Sequence, residues 1–211
     1  MSEGTAINDD GAKQAFLFVG NATCLDFVNT ELILKGRPVD LLENFGDLVS
    51  WLVEAQALDA AEAQKAVRRW GDRPEGNRVF QEGRAFRAVL RAMVERIVNG
   101  KPVQPPALDA INKLLQNRVG YSQLIRGRDG FERRFHSGSA EAVHLLVPLA
   151  EFASDLLCHY DHALIKRCQN PACILYFYDT TKNHARRWCS MSLCGNRMKV
   201  AAHYSRHRAK S

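Results

Sequence analysis

Four of the six cysteines fall in the last 44 residues as two matched pairs, Cys168/Cys173 and Cys189/Cys194, each pair spanning four intervening residues, with fifteen residues between the pairs. That is the ligand arithmetic of a four-thiolate zinc site, because a tetrahedral Zn²⁺ takes two thiolates from each short Cys-to-Cys loop. Scattered core thiols are the ordinary alternative, since free cysteine is commonly buried. Two equal spacings in a segment with almost no aliphatic core of its own argue against it. A redox relay would carry Cys-x-x-Cys beside a βαβ pattern, and neither is present. One structural zinc per chain, held by Cys168, Cys173, Cys189 and Cys194, is the expectation.

The surrounding sequence suggests how the ligands are presented. Ile174–Tyr178 is a β-like aromatic run and Asp179–Asn183 is turn-prone, so a hairpin returning through His184–Trp188 to the second pair is the natural connection. After Cys194 the chain turns helical in character. Knuckle, hairpin and a helix starting at the last ligand make a treble-clef-like finger. Cys194 would then sit where unpaired N–H groups favour a thiolate, with Gly195 allowing close backbone approach and Asn196 able to cap.

Charge is distributed unevenly. The chain of 211 residues carries a formal +6, yet residues 166–211 hold ten Lys/Arg against the single acid Asp179, while residues 1–165 hold 19 basic and 22 acidic groups. A zinc tetrathiolate carries a formal −2 charge and calls for some nearby cations, but not for an excess of nine. The asymmetry is the footprint of a polyanion-binding module. At 100° per residue, Lys199, His203, Arg206 and Lys210 form one stripe of the last helix, flanked by Arg197 and Arg208. Lys182, Arg186 and Arg187 extend the same surface from the hairpin. These cations are the candidate nucleic-acid contacts, with Arg197 also placed to brace the zinc site.

Residues 187–197 (Arg-Trp-Cys-Ser-Met, then Cys-Gly-Asn-Arg from Cys194) resemble the CGNR zinc-finger family, as do the aromatic strand ending in Asp179 and Lys199 after the Arg. Upstream, Phe18-Val19-Gly20, Leu25–Thr30, Trp51-Leu52 and Ala57-Leu58 resemble the ABATE domain that precedes this finger, with Asn21 where the pattern has a second Gly. The resemblance implies a bacterial transcription regulator that binds DNA through the finger.

The rest of the chain must position that finger. With 46% hydrophobic residues it can bury one solid core plus a small appendage. Residues 1–14 are polar and are expected to be mobile; they lack the basic-then-apolar build of a signal peptide. No uninterrupted 18-residue apolar run occurs, which with reduced cysteines gives a cytoplasmic expectation. Thr23 with Asp26 reads as a capping-box-like start to a helix carrying Cys24, Leu25, Val28 and Leu32 on one face and ending at Gly36–Pro38. Further helices are expected from Leu41 to about Leu58, from Asp59 to Trp70, from Pro74 to Asn99, over Leu108–Gln116, and from Ala140 to Ile165 with a kink at Pro148. Tyr121–Ile125 and Phe131–Phe135 read as the one hairpin of this part.

The expected fold is therefore mainly α: mobile residues 1–14, a helical domain over 15–165 with one β-hairpin, and the small four-cysteine finger over 166–211. No phosphate-binding glycine loop, dinucleotide fingerprint or His-Glu-x-x-His occurs, and a closed four-thiolate site leaves zinc no open position, so an enzyme is not expected. His159 and His162 read as a solvated polar pair, and Cys24 and Cys158 as core thiols. Asp26 and Asn29 read as partners for backbone groups, with an effector pocket as the functional alternative. The leading reading is a zinc-dependent DNA-binding regulator whose N-terminal domain senses a small-molecule effector or forms a homodimer. An RNA-binding or ribosome-associated protein, and an interaction module docking an acidic partner, are the alternatives.

Overall fold

The computed structural model describes residues 15–127 and 130–200. The expectations for residues 1–14 and for His203, Arg206, Arg208 and Lys210 fall outside them. Six α-helices and three two-stranded antiparallel sheets follow one another along the described chain: α1 (Thr23–Val28), β1 (Glu31–Leu34), β2 (Arg37–Asp40), α2 (Phe45–Glu54), α3 (Ala60–Trp70), α4 (Pro74–Val98), α5 (Pro105–Leu115), β3 (Gly120–Gly127), β4 (Gly130–Ser137), α6 (Val147–His159), β5 (Ile165–Arg167) and β6 (Tyr176–Tyr178).

The helices begin where local chemistry directs. Asn44 caps α2 by accepting the Asp47 amide at 3.0 Å, and Asp59 caps α3 by accepting the Glu62 amide at 2.8 Å. Proline opens α4, whose Val79, Phe86, Leu90, Met93, Val94 and Ile97 make the buried stripe around which the other helices pack. Trp51 on α2 is fully buried, with the rings of Phe27, Phe18 and Phe152 at 5.0, 6.0 and 6.4 Å. By length and composition alone Ala142–His159 could cross a membrane, at mean hydropathy 1.2, but its Leu145, Leu146, Leu149, Ala150, Ala153 and Leu156 are buried in this core.

Several expectations change. The first helix stops at Val28 and the chain then turns back as the β1–β2 hairpin, with Lys35 and Gly36 at φ 50° and 80°, the positive values that a two-residue hairpin turn needs. Leu32 sits four residues after Val28, so its place in β1 looked like one more helical step. Thr23 does not cap α1; Ala22 holds that position without a side-chain bond, and Asp26 instead accepts the Gly20 amide at 2.7 Å. The expected long helix over 140–165 is divided. Residues Ala142–Leu146 form a 3₁₀ turn, Pro148 lies in the first turn of α6, and after α6 ends at His159 a second 3₁₀ turn, His162–Leu164, leads into β5. Cys24 is buried as expected, its thiol pushed up to about 12 by burial and by Asp26, whereas Cys158 is exposed.

Candidate metal centre and its mooring

In the finger, β6 pairs with β5, Ile165 facing Tyr178 and Arg167 facing Tyr176, and not with His184–Trp188 as the spacing had suggested. The strand before the first cysteine thus becomes the partner of the strand after the second, which closes Cys168–Cys173 as a knuckle. Cys168 donates its amide to Leu175 O at 2.9 Å and Cys173 donates to Asn170 O at 2.9 Å. Residues 184–188 run as an irregular loop fastened at Gln169, whose amide meets Arg187 O at 2.9 Å. Ser190 then caps the wide turn Met191–Gly195, which presents Cys194, and residues 196–200 continue as helix.

All four cysteine side chains are buried and their sulfurs lie within 4.8 Å of one another; among the described residues no other such group of potential ligands occurs. Cys173 to Cys189 measures 3.9 Å and Cys189 to Cys194 3.7 Å. A tetrahedron with Zn–S bonds of about 2.3 Å has edges of roughly 3.8 Å, so the donor set fits one structural zinc ion. The electrostatics agree. Hydrogen bonds from Cys173 and Cys189 hold the Cys168 thiol down to about 2, while Cys173 is pushed up to about 12 and Cys189 is also raised, chiefly because each keeps its proton to donate to Cys168, with burial and the neighbouring charge adding to it. One anion forms readily in this cage and four need a divalent cation.

The groups around the sulfurs explain other residues of the motif. Asn170, buried in the knuckle, donates to Cys194 Sγ at 3.2 Å and accepts the Ala172 amide at 3.1 Å. A Cβ on Gly195 would lie 2.5 Å from Met191 Sδ, the end of an exposed flexible side chain, and 3.0 Å from Trp188 Cδ1, so a larger residue here would have to displace Met191 and press on the Trp188 ring. Asn196, itself helical, closes the Met191–Gly195 turn by donating its backbone amide to Met191 O.

Asp179, fully buried, organises the loop that follows β6. It accepts from Lys166 Nζ at 2.7 Å, the Arg186 amide at 2.9 Å, and the amide and hydroxyl of Thr181 at 3.0 and 2.6 Å. Burial opposes its charge, but these bonds outweigh that and hold the carboxyl well below the usual carboxylate range.

Arg186 is not on the exposed face where the sequence had put it. Its guanidinium lies 4.2 Å over Phe177 and donates to the carbonyls of Trp188 at 2.9 Å, Val19 at 2.8 Å and Cys189, bracing the second pair of cysteines against the helical domain. Lys182, Arg187, Arg197 and Lys199 are exposed, as is Arg167. Arg187 also donates to Gln169 Oε1 at 2.6 Å and lies over Trp188.

The mooring of the finger is the part sequence reasoning missed. Asn29 brackets the Tyr176 backbone, donating to its carbonyl at 2.8 Å and accepting its amide at 2.9 Å. Tyr178 donates its amide to Gly20 O at 2.7 Å, and Asn21, at φ 55°, reaches the Tyr178 carbonyl and Thr180 Oγ1, both at 3.1 Å. That positive φ is the reason a glycine suits position 21 and asparagine can replace it. Arg91 ties Ile174 O at 3.2 Å to Val28 O at 2.6 Å, and the fully buried Arg87 grips Asp40 with both Nη atoms at 2.6 and 2.7 Å. Leu32 and Leu41 of the β1–β2 region join Cys168, Cys173, Leu175, Phe177, Cys189 and Cys194 in one apolar cluster. The only available signals were Asn29 as a polar residue beside an apolar face and arginines spaced three and four apart on α4.

His159 and His162 are exposed, with His159 3.4 Å from Asp155, and join no metal cluster among the described residues. Comparison with protein families gives two matches. ABATE, described as "Putative stress-induced transcription regulator", matches residues 21–160, and the CGNR zinc finger matches residues 165–207. No curated protein matches the chain.

Proposed function

Because the chain belongs to the ABATE family and carries a CGNR zinc finger, we propose that it is a zinc-stabilised transcription regulator that binds duplex DNA through the finger. The observation that carries this reading is the charge of the finger's surface. Its one acidic side chain, Asp179, is buried and fully engaged, while Arg167, Lys182, Arg187, Arg197 and Lys199 all face solvent. Arg186 leaves the proposed contact set, because its guanidinium is spent on backbone carbonyls. Zinc acts as the fold's fastener. With four thiolates around it no position is left for water or substrate, which supports a non-enzymatic role. In this reading the helical domain receives the signal, through a ligand or a second copy, and passes it on through the Asn29 and Arg91 contacts.

Titration of the zinc-loaded chain against a mixed-sequence DNA duplex, and against RNA of the same sequence, tests the proposal. Each phosphate neutralised on duplex DNA contributes a slope of about −0.9 to log K against log salt. Absence of duplex affinity at ~150 mM salt, where non-specific binders reach ~10⁻⁴–10⁻⁶ M, would overturn it. Tighter binding to the RNA would move the assignment to the other nucleic acid.

A further inference from the structure

The β3–β4 hairpin stands out from the acidic domain that carries it. Residues 118–137 hold five arginines against Asp129 and Glu132, while the rest of residues 1–165 hold 14 basic and 20 acidic groups. The hairpin pairs in unbroken register from Gly120↔Ser137 to Gly127↔Gly130, with no third strand beside it among the described residues. Register places Ser122/Phe135, Leu124/Arg133 and Arg126/Phe131 on one face, an alternation of apolar side chains and cations. Leu124 and Phe131 are 68% and 70% exposed, far more than large apolar groups on a finished surface need to be. Arg126 lies 5.7 Å over the Phe131 ring, and neither Arg126 nor Arg133 forms an ion pair among the described residues. Glu132 belongs to the opposite face. At the base, Arg118 bonds Glu151 of α6 and lies 4.3 Å over Phe135, so the ribbon is moored to the helical core.

Charged side chains alone would be an ordinary way to blunt sheet edges against pairing with another chain. That account leaves Leu124 and Phe131 unexplained, since they add the very hazard it removes. A two-stranded ribbon fits the major groove of duplex DNA, about 12 Å wide, and ribbons that enter grooves combine arginines for phosphates with apolar side chains for base edges or base steps. We propose that the Gly120–Ser137 hairpin is a second DNA-contacting element, in which Arg126 and Arg133 meet phosphates and Leu124 and Phe131 enter the groove. This inference rests on the reading of the chain as a DNA-binding protein and assigns its helical domain a share of the contact.

The test uses the full, zinc-loaded chain and a mixed-sequence 24-base-pair duplex, followed by fluorescence anisotropy across several salt concentrations. The double variant Arg126→Ala/Arg133→Ala should bind at least about tenfold more weakly at ~100 mM salt, with the salt slope shallower by about two units. Arg126→Lys/Arg133→Lys should keep the slope, which a purely structural loss would not allow, and Phe131→Ser should weaken binding without changing it. Zinc content and circular dichroism of each variant report that the fold persists. An unchanged slope in the alanine double variant, with Arg197→Ala/Lys199→Ala still reducing it, would overturn the hairpin proposal and leave the finger reading standing. Absence of duplex binding by the parent chain would overturn both. Loss of a dimer in the sedimentation profile of the hairpin variants, with DNA affinity intact, would assign the ribbon to self-association instead.

Discussion

Asn170 donates a side-chain N–H to the sulfur of Cys194 while its own oxygen holds the amide of Ala172. It fixes the knuckle and draws charge from one thiolate without touching the ion. Outer contacts of this kind are worth about 10–100-fold in metal affinity, so Asn170→Ala should lose zinc to a competing chelator by that factor; equal competition curves would contradict the role. Asp26 makes a different prediction. Burial lifts its carboxyl to about 6, against the amides of Gly20 and Val19 and the Arg186 charge, which pull it down. An unfolded aspartate titrates near 3.9. Between about pH 4 and pH 6 the folded chain therefore holds a proton that the unfolded chain has released, so this group's contribution to stability declines as pH rises through that window. In urea melts the stability of Asp26→Asn relative to the parent should increase between pH 4 and pH 7 by on the order of 2 kcal/mol; a constant difference would exclude it. At this scale the sequence was most legible where chemistry is written in spacing, as in the four cysteines. Asn170 stood in plain view inside the knuckle, but its role needs the second knuckle to be in place.

The elements whose partners lie close in sequence were readable: α3 from its Asp59 cap, α4 from its stripe and proline start, and β3–β4 from alternation around a glycine-rich turn. The missed hairpin β1–β2 lay under a helical pattern that Leu32 happened to continue, although Lys35-Gly36 carried the turn signal. For β6 the strand was right and the partner wrong, because pairing with Ile165–Arg167 depends on closing a knuckle around metal. The same dependence makes β1–β2 a sensor of the zinc site, since Leu32 and Leu41 share an apolar cluster with all four cysteines. Chelating zinc from the full chain should speed amide hydrogen exchange in Glu31–Leu41 along with residues 168–195. Amides of α4, whose buried stripe packs mainly against the other helices, should remain protected. Protection that stays unchanged in β1–β2 would mean the hairpin stands without the finger.

For the whole molecule, the division into a helical part and a finger was legible from composition and charge, but the seam between them was not. The seam is dense: Asn29, Arg91, Tyr178, Asn21 and Arg186 each cross it with hydrogen bonds to backbone. Residues more than 150 positions apart are therefore joined, Val19 to Arg186 and Gly20 to Tyr178, and a structure of this kind assembles slowly because long loops must close before the contacts form. The order of synthesis sharpens the point. Leu32 and Leu41 leave the ribosome about 150 residues before Cys194, which at ~5–20 residues per second is a wait of roughly 8–30 s. During that interval the first hairpin lacks its apolar partners from the finger and the metal cage, and has only Phe16, Leu17, Val19 and Val39 of that cluster to lean on. Until Cys194 has emerged, the β1–β2 segment of a nascent chain is open to association with its neighbours, and zinc binding is expected to remove that hazard.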